Sequence, residues 1–211
     1  MFGYRQSPRR RLAAAFWFVA ASWLVLLCPI PTDAAAGPPT DVVRNFYNVL
    51  LDLMQHGAAL GPTGRYQKLE PVVRGTFDVP FMARLSVGPS WRNLTPEQKR
   101  RAVQAYSRYV AAVYASRFDS YAGEQFKVLG QQQIKHGTLI KTQIIKSNGE
   151  PVDVNYVVHD NDIAWQIRDI YLSGAISELA MHRSEFAATL RTSGIDGLID
   201  SLNKKADELQ S

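Results

Sequence analysis

Apolar side chains recur at helical spacing along residues 40–57. They fall three and four positions apart behind a capping residue, Thr40 or Asp41. This spacing predicts a first helix with one apolar face. The segments that follow are a loop over 57–64, rich in glycine and proline, a helical piece to about Arg74 and another over 78–88.

A second, longer helix is predicted to begin at Thr95-Pro96-Glu97-Gln98. This tetrapeptide matches a capping box with proline in the first turn. The apolar stripe behind it contains Tyr106, Tyr109 and Tyr114. We expect these tyrosines to pack in the core with their hydroxyl groups at its rim.

The apolar period changes from about 3.6 to about 2 at Phe126, which predicts strands. Asn148-Gly149 is a strong hairpin signal between two of them. The predicted strands cover about 126–134, 137–146, 151–159 and 163–172. The apolar positions that share one face are Ile140, Ile144, Val152, Val154, Tyr156, Val158, Ile163, Trp165, Ile167 and Tyr171.

Two more helices are predicted after the strands, over 176–190 and 195–209. The order of elements predicts an α+β fold. N-terminal helices precede a twisted, four-stranded antiparallel sheet, and C-terminal helices follow it. We expect the sheet and the helices to enclose an apolar pocket beside the first helix.

Residues 1–36 have the layout of a secretory signal peptide. Arginines precede an apolar run over 12–27, which is shorter than the roughly 20 residues of a membrane span and is followed by Ala34-Ala35-Ala36. We therefore expect export, with cleavage after about Ala36. Residues 37–211 are then expected to form a single domain.

Removal of this segment changes the charge of the protein. The full chain carries 24 basic and 19 acidic side chains, a net charge of +5, and residues 1–36 contain four arginines and Asp33. The remainder therefore carries a net charge of +2, which gives no support for nucleic-acid binding. Cys28, the one cysteine of the chain, is removed as well.

Signatures of common hydrolytic and metal sites are missing from the sequence. It contains neither G-x-S-x-G nor H-E-x-x-H, and its histidines are scattered over helix ends, turns and an exposed strand face. Asp160-Asn161-Asp162 reads as a β-turn and not as a calcium loop. No metal, cofactor or catalytic residue is predicted.

Asp169 is the residue that departs from the apolar pattern. Strict alternation places it on the same face as Ile167 and Tyr171, where a carboxylate must be hydrogen-bonded or have a raised pKa. One hypothesis is a small enzyme that uses Asp169 and Tyr171 as acid and base groups. The other, which we favour because no second acid pairs with it, is a carboxylate that accepts structural hydrogen bonds.

Three blocks of sequence resemble one family. They are Phe81-Met82-Ala83-Arg84 with Gly88-x-x-Trp91, the helix start at Thr95 with Tyr106 and Tyr114 behind it, and the segment from Trp165 to Leu198. Together they resemble the MlaC or toluene-tolerance family. Ser173 stands where many phospholipid-shuttle members have an acidic residue, and this departure favours the hopanoid-associated HpnM branch.

The resemblance implies a protein of MlaC-like or NTF2-like fold that binds lipid in the periplasm and is not an enzyme. Such a carrier takes phospholipid or hopanoid and passes it between membrane-bound complexes. The implied partners are an inner-membrane transporter complex and an outer-membrane complex, with no cofactor. A ligand-free adaptor of a membrane transporter is the alternative.

Candidate pocket residues lie on the apolar faces of the predicted helices and strands, where ordinary core packing is the competing role. They are Phe46, Leu50, Met54, Phe81, Leu85, Tyr106, Val110, Val113, Ile140, Ile144, Val154, Tyr156, Val158, Trp165 and Ile167.

Overall fold

The computed structural model of the protein describes residues 38–211. The expected signal peptide, its cleavage after Ala36 and Cys28 lie outside these residues. Within 38–211, none of the helices combines the length and the apolar character that a membrane crossing requires.

Helices precede and follow a single sheet. The capping box of α4 is confirmed, because Thr95 Oγ1 accepts from the Gln98 amide at 3.1 Å and the Thr95 amide donates to Gln98 Oε1 at 3.2 Å. The helices are α1 (Pro39–Gln55), α2 (Gly57–Thr76), α3 (Val79–Val87), α4 (Pro96–Arg117) and α5 (Glu178–Glu208), with a 3₁₀ turn over Gly88–Asn93.

The loop predicted over 57–64 is wrong, because the chain is helical there. Its glycine and proline instead produce a sharp break within α2 at Gly61, which has a φ of 63°. Glycine adopts this conformation without strain, and Pro62 then starts the next helical segment. The corresponding break in α5 occurs at Gly194, with a φ of 65°, between the two predicted C-terminal helices.

The described residues form an antiparallel sheet of five strands in chain order, so the four long strands predicted from sequence are joined by a fifth. The strands are β1 (Gln125–Ile134), β2 (Gly137–Ile145), β3 (Pro151–Asp160), β4 (Trp165–Leu172) and β5 (Ile176–Ser177).

The short strand β5 replaces the helix start predicted at Ile176. Ser173 and Gly174 both have positive φ, 49° and 76°, and turn the chain back along β4. Ser177 then pairs with Tyr171 before α5 begins. At the other end of β4, Ile163 lies outside the strand and is 85 % exposed, so its predicted place on the apolar face is wrong.

The core lies between the sheet and the helices. The helices α1 and α4 contribute apolar and aromatic side chains, and the sheet contributes residues such as Ile140, Tyr156 and Ile167. Arg65 is also buried, and it donates from Nε to the Ala115 carbonyl at 2.8 Å and from Nη1 to the Gly57 carbonyl at 3.0 Å. These bonds hold α2 against the end of α4.

Candidate functional site

A connected series of aromatic rings, here called the ring series, crosses the core between α1, α4 and the sheet. At its inner end, the ring of Phe46 meets those of Phe77 and Tyr114 edge to face, each at 5.1 Å between centroids. Tyr114 stacks on Phe118 at 5.7 Å. Such arrangements add to the stability that burial of the rings supplies.

The outer end of the ring series reaches the surface between α1 and β1. Phe118 contacts Phe126 at 6.1 Å, Phe126 contacts Tyr47 at 4.8 Å, and Tyr47 meets Tyr156 at 5.7 Å. Tyr47 belongs to α1 and Phe126 to β1. The two elements therefore meet here through aromatic side chains.

An open cavity of about 530 Å³ lies over this contact, and we call it the α1–β1 mouth. Its floor includes Tyr47 and Phe126, so the cavity ends against the ring series. Its rim carries one basic side chain, Arg44 on α1, and one acidic side chain, Glu124 before β1. The full lining is Arg44, Tyr47, Asn48, Leu51, Tyr121, Glu124, Gln125, Phe126 and Val128.

The hydroxyl group of Tyr47 ends a buried polar chain beneath the mouth. It pairs with Thr142 Oγ1 at 2.5 Å, and Thr142 Oγ1 in turn donates to the Val154 carbonyl. The Thr142 amide donates to Asn155 Oδ1 at 3.2 Å. Burial raises the pKa of Tyr47, so this side chain stays neutral and able to donate.

The predicted pocket residues mostly lie inside the core, packed against one another. Those that are buried are Phe46, Leu50, Met54, Tyr106, Val110, Ile140, Val154, Tyr156, Val158 and Ile167. Ile144, Trp165, Phe81 and Val113 are half-buried, and Leu85 is 39 % exposed on α3.

None of these predicted residues lines the α1–β1 mouth. The apolar and aromatic lining residues that were not predicted from the sequence include Tyr47, Leu51, Phe126 and Val128. Phe126 and Val128 are half-buried between exposed neighbours, as alternation in a strand predicts. Tyr47 follows Phe46 directly on α1, and its pairing with β1 depends on tertiary structure.

The placement of Asp169 on the apolar face is wrong, because β4 contains a bulge. Val157 pairs with Asp169 and Val158 pairs with Ile167, which leaves Arg168 as the extra residue. An extra residue reverses the alternation beyond it. Ile170 is therefore buried in the core, while Asp169 and Tyr171 lie on the other face.

Asp169 holds the start of α5. Its Oδ1 accepts from the Ile170 amide at 2.8 Å and the Leu179 amide at 3.3 Å, and its Oδ2 accepts from Ser177 Oγ at 2.7 Å. Ser177 is the N-cap and accepts from the Ala180 amide. These contacts are the structural role that we favoured for Asp169, and they occupy the carboxylate required by the acid-base hypothesis.

Replacing Asp169 by alanine is expected to lower the free energy of unfolding by about 2 kcal/mol, because the Leu179 amide and the Ser177 hydroxyl lose their acceptor at a helix start. Urea unfolding followed by circular dichroism measures this change. Asp162→Asn, in an exposed turn, is the control and should stay within about 0.5 kcal/mol of the parent. Equal midpoints for Asp169→Ala and the parent would contradict the assignment.

The extra residue of the bulge also positions α3. Arg168 Nε donates to Asp78 Oδ2 at 2.8 Å, and its guanidinium lies 4.6 Å from the ring centre of Phe81. Asp78 Oδ1 accepts from the Phe81 amide at 3.2 Å, which caps α3. Phe81 thus packs beneath a cation at the junction of α3 and the sheet.

A second aromatic group joins α4 to α5. Tyr106 shares a hydrogen bond of 3.0 Å with His182 Nδ1, and the imidazole stacks on Phe186 at 5.4 Å. Burial lowers the pKa of His182 to about 4, and Arg117 and Lys205 act in the same direction. His182 is therefore buried in the α4–α5 interface.

Glu178, in the first turn of α5, also has a strongly shifted pKa. Burial raises its pKa to about 7, with Asp169 and Glu185 adding to the effect and Arg117 opposing it. Over the part of the chain that the structure describes, no group of three His, Cys, Asp or Glu side chains is arranged to hold a metal ion.

Comparison with known proteins gives the class to which this fold and core belong. The family model described as "MlaC protein" matches residues 44–204. The chain therefore belongs to the MlaC family, as its resemblance indicated. Its assignment to the hopanoid-associated branch stays a prediction.

A solved structure shares the fold. It is a phospholipid-binding protein from Ralstonia solanacearum, determined in complex with a phospholipid. The sequences are 20 % identical, and the match covers 81 % of this chain and 98 % of the other, with a TM-score of 0.67. The predicted α+β class, with helices and an antiparallel sheet, is confirmed.

Proposed function

We propose that this protein is a periplasmic lipid-binding carrier whose α1–β1 mouth admits the apolar chains of the lipid. The observation that carries the proposal is the cavity whose floor is the outer end of the ring series. Membership of the MlaC family and the phospholipid bound by the structural relative support it.

Lipid transfer through water is the physical problem that such a carrier solves. Moving one methylene group out of water is favourable by about 0.8 kcal/mol. A lipid with roughly 30 methylenes that leaves a bilayer for water, without a carrier, therefore incurs a transfer free energy on the order of 20 kcal/mol. Transfer from the bilayer to an apolar protein interior is nearly neutral by the same reasoning. A carrier therefore needs neither a reaction nor a cofactor.

The lipid chains must displace side chains that now pack together. Moving α1 away from β1 breaks the contact between Tyr47 and Phe126 and the hydrogen bond between Tyr47 and Thr142. Each contributes about 1 kcal/mol. The movement also uncovers apolar core side chains of α1 and the sheet, and the lipid chains that enter cover this surface again, which offsets the cost of opening.

The carrier is exported to the periplasm and works there with membrane-bound partners. Residues 1–36 act as a signal peptide, and residues 37–211 form the single lipid-binding domain. The cargo is phospholipid or hopanoid. The carrier receives and delivers it at an inner-membrane transporter complex and an outer-membrane complex.

Blocking the mouth provides the test. Val128→Trp places an indole in the cavity, and we expect at least about tenfold less bound lipid per protein, which corresponds to roughly 1.4 kcal/mol. The full chain is expressed, the protein is purified gently, and an organic extract is analysed by mass spectrometry. The lipid masses distinguish phospholipid from hopanoid, and the protein mass shows whether the chain begins at Gly37.

Leu129→Trp is the matched control, because Leu129 follows Val128 on β1 and is 57 % exposed. This variant should retain the lipid content of the parent within about twofold. Circular dichroism checks that both variants fold. Parent protein that yields no lipid would refute the carrier proposal, and equal lipid in both variants would place the route of the lipid elsewhere.

A further inference from the structure

A second cavity, of about 600 Å³, lies between α2, α3 and α4, and we call it the helical groove. Its volume is in the range of small-molecule sites. Its lining shares no residue with the α1–β1 mouth. The lining includes Glu70, Arg74, Val79, Pro80, Val103 and Ser107.

The groove combines an apolar side with positive charge. Val79, Pro80 and Val103 form its apolar part, and its walls carry three arginines against one glutamate. The carboxylates that pair with Arg100 and Arg108, those of Glu97 and Asp207, are not in the lining. The charged side chains that line the groove are therefore three guanidinium groups and the carboxylate of Glu70.

Arg74 keeps N–H donors available for a ligand. Arg74 uses Nη2 to contact Glu70 Oε2 at 2.9 Å, and its side chain is 64 % exposed. A guanidinium has five N–H donors, so one contact leaves most of them free for a second acceptor. Phosphate oxygens suit this geometry, because guanidinium groups bind them with paired hydrogen bonds.

Ser107 provides independent evidence of a ligand. It is 4 % exposed, it belongs to the lining, and its Oγ has no hydrogen-bond partner among residues 38–211. Buried hydroxyl groups in proteins normally have a partner. An acceptor atom of a ligand that reaches the base of the groove would provide one.

We propose that the helical groove binds a phosphate ester that carries an apolar substituent. The ester oxygens accept from Arg74 and from Ser107, and the substituent lies against Val79 and Val103. This site does not rest on the carrier proposal, because the two cavities share no residue. Two sources of such a group exist, a lipid headgroup in a bilayer and a free phosphate ester.

The test uses protein from the full chain with Val128→Trp, so that the mouth is blocked, and monomeric dihexanoyl phosphatidylglycerol as the probe. Two-dimensional NMR titration should show saturable shifts at the amides of Ser107, Arg74 and Val79. Arg74→Gln and Ser107→Ala should each weaken binding about tenfold, or roughly 1.4 kcal/mol.

Glu70→Gln should strengthen binding instead, because it removes the one carboxylate of the groove and releases Arg74. This opposite sign separates ligand contact from a structural role, which would give a loss in every variant. Arg92→Gln is the control, because Arg92 is exposed and outside the lining, and it should bind as the parent does.

Further probes identify the source of the phosphate group and the chemical class of the ligand. Flotation with vesicles of equimolar phosphatidylcholine and phosphatidylglycerol, lost in Arg74→Gln, would support a headgroup in a bilayer, whereas binding of the monomeric probe alone would support a free ester. Inorganic phosphate that binds as tightly as the probe would overturn the role of the apolar side. The absence of saturable shifts at the groove would overturn the proposal.

Discussion

Replacing Phe46 by alanine is expected to lower the free energy of unfolding by about 3–5 kcal/mol. Phe46 is 1 % exposed, and its ring meets both Phe77 and Tyr114 edge to face. The substitution removes the buried ring and leaves a cavity between α1, α4 and the segment before α3. The surrounding rings are held by their own contacts and are unable to close it fully.

Urea unfolding followed by circular dichroism measures this loss. Leu129→Ala is the matched control, because it also shortens an apolar side chain but at an exposed position of β1. We expect it to stay within about 0.5 kcal/mol of the parent. A loss below about 1 kcal/mol for Phe46→Ala would mean that the inner end of the ring series is loosely packed.

The second large expected effect is a loss of folding stability at acid pH. His182 has a pKa of about 4 in the folded protein against about 6.5 in an unfolded chain. Below pH 6.5 the unfolded state binds a proton that the folded state excludes, so stability falls as the pH drops from 6.5 to 4. The contribution of this one group is about 3 kcal/mol, and it is fully present above pH 6.5.

Glu178 opposes this trend. Its pKa is raised to about 7 in the folded protein, so the folded state holds a proton that the unfolded state releases. Its contribution is therefore present at low pH and is lost as the pH rises from about 4.5 through 7. The two groups partly cancel between pH 4.5 and 6.5, and the parent protein should show a shallow dependence there.

Denaturation at a series of pH values separates the two groups. Glu178→Gln should show a steeper loss of stability toward pH 4 than the parent, because the effect of His182 is then unopposed. His182→Phe should reverse the slope, and the double variant should be the flattest. Parallel curves for Glu178→Gln and the parent would contradict the assignment for Glu178.

Local signals in the sequence predicted much of the fold correctly. The capping box at Thr95 and the hairpin signal Asn148-Gly149 depend on neighbouring residues, and both predicted boundaries agree with the structure. Alternation located the four long strands. It failed at Asp169, because one extra residue in β4 reverses the faces, and nothing in the local pattern marks Arg168 as that residue.

The candidate site was less predictable than the fold. Core residues and lipid-contacting residues are of the same apolar types, so the sequence yields one set for both roles. The position and lining of the α1–β1 mouth depend on which side of α1 meets β1, the first strand of the sheet. The helical groove depends on the spacing of three helices, and the unpaired hydroxyl of Ser107 is invisible in the sequence.

By itself the sequence determined the family, the α+β class, the order of the helices and long strands and the expectation of export, because these follow from local patterns and from sequence resemblance. Only the tertiary structure decided that Asp169 holds α5, that His182 is buried against Tyr106, and that cavities lie at α1–β1 and between α2, α3 and α4. These features arise where segments distant in the chain meet, and their contacts and burial are set by packing and not by neighbouring residues.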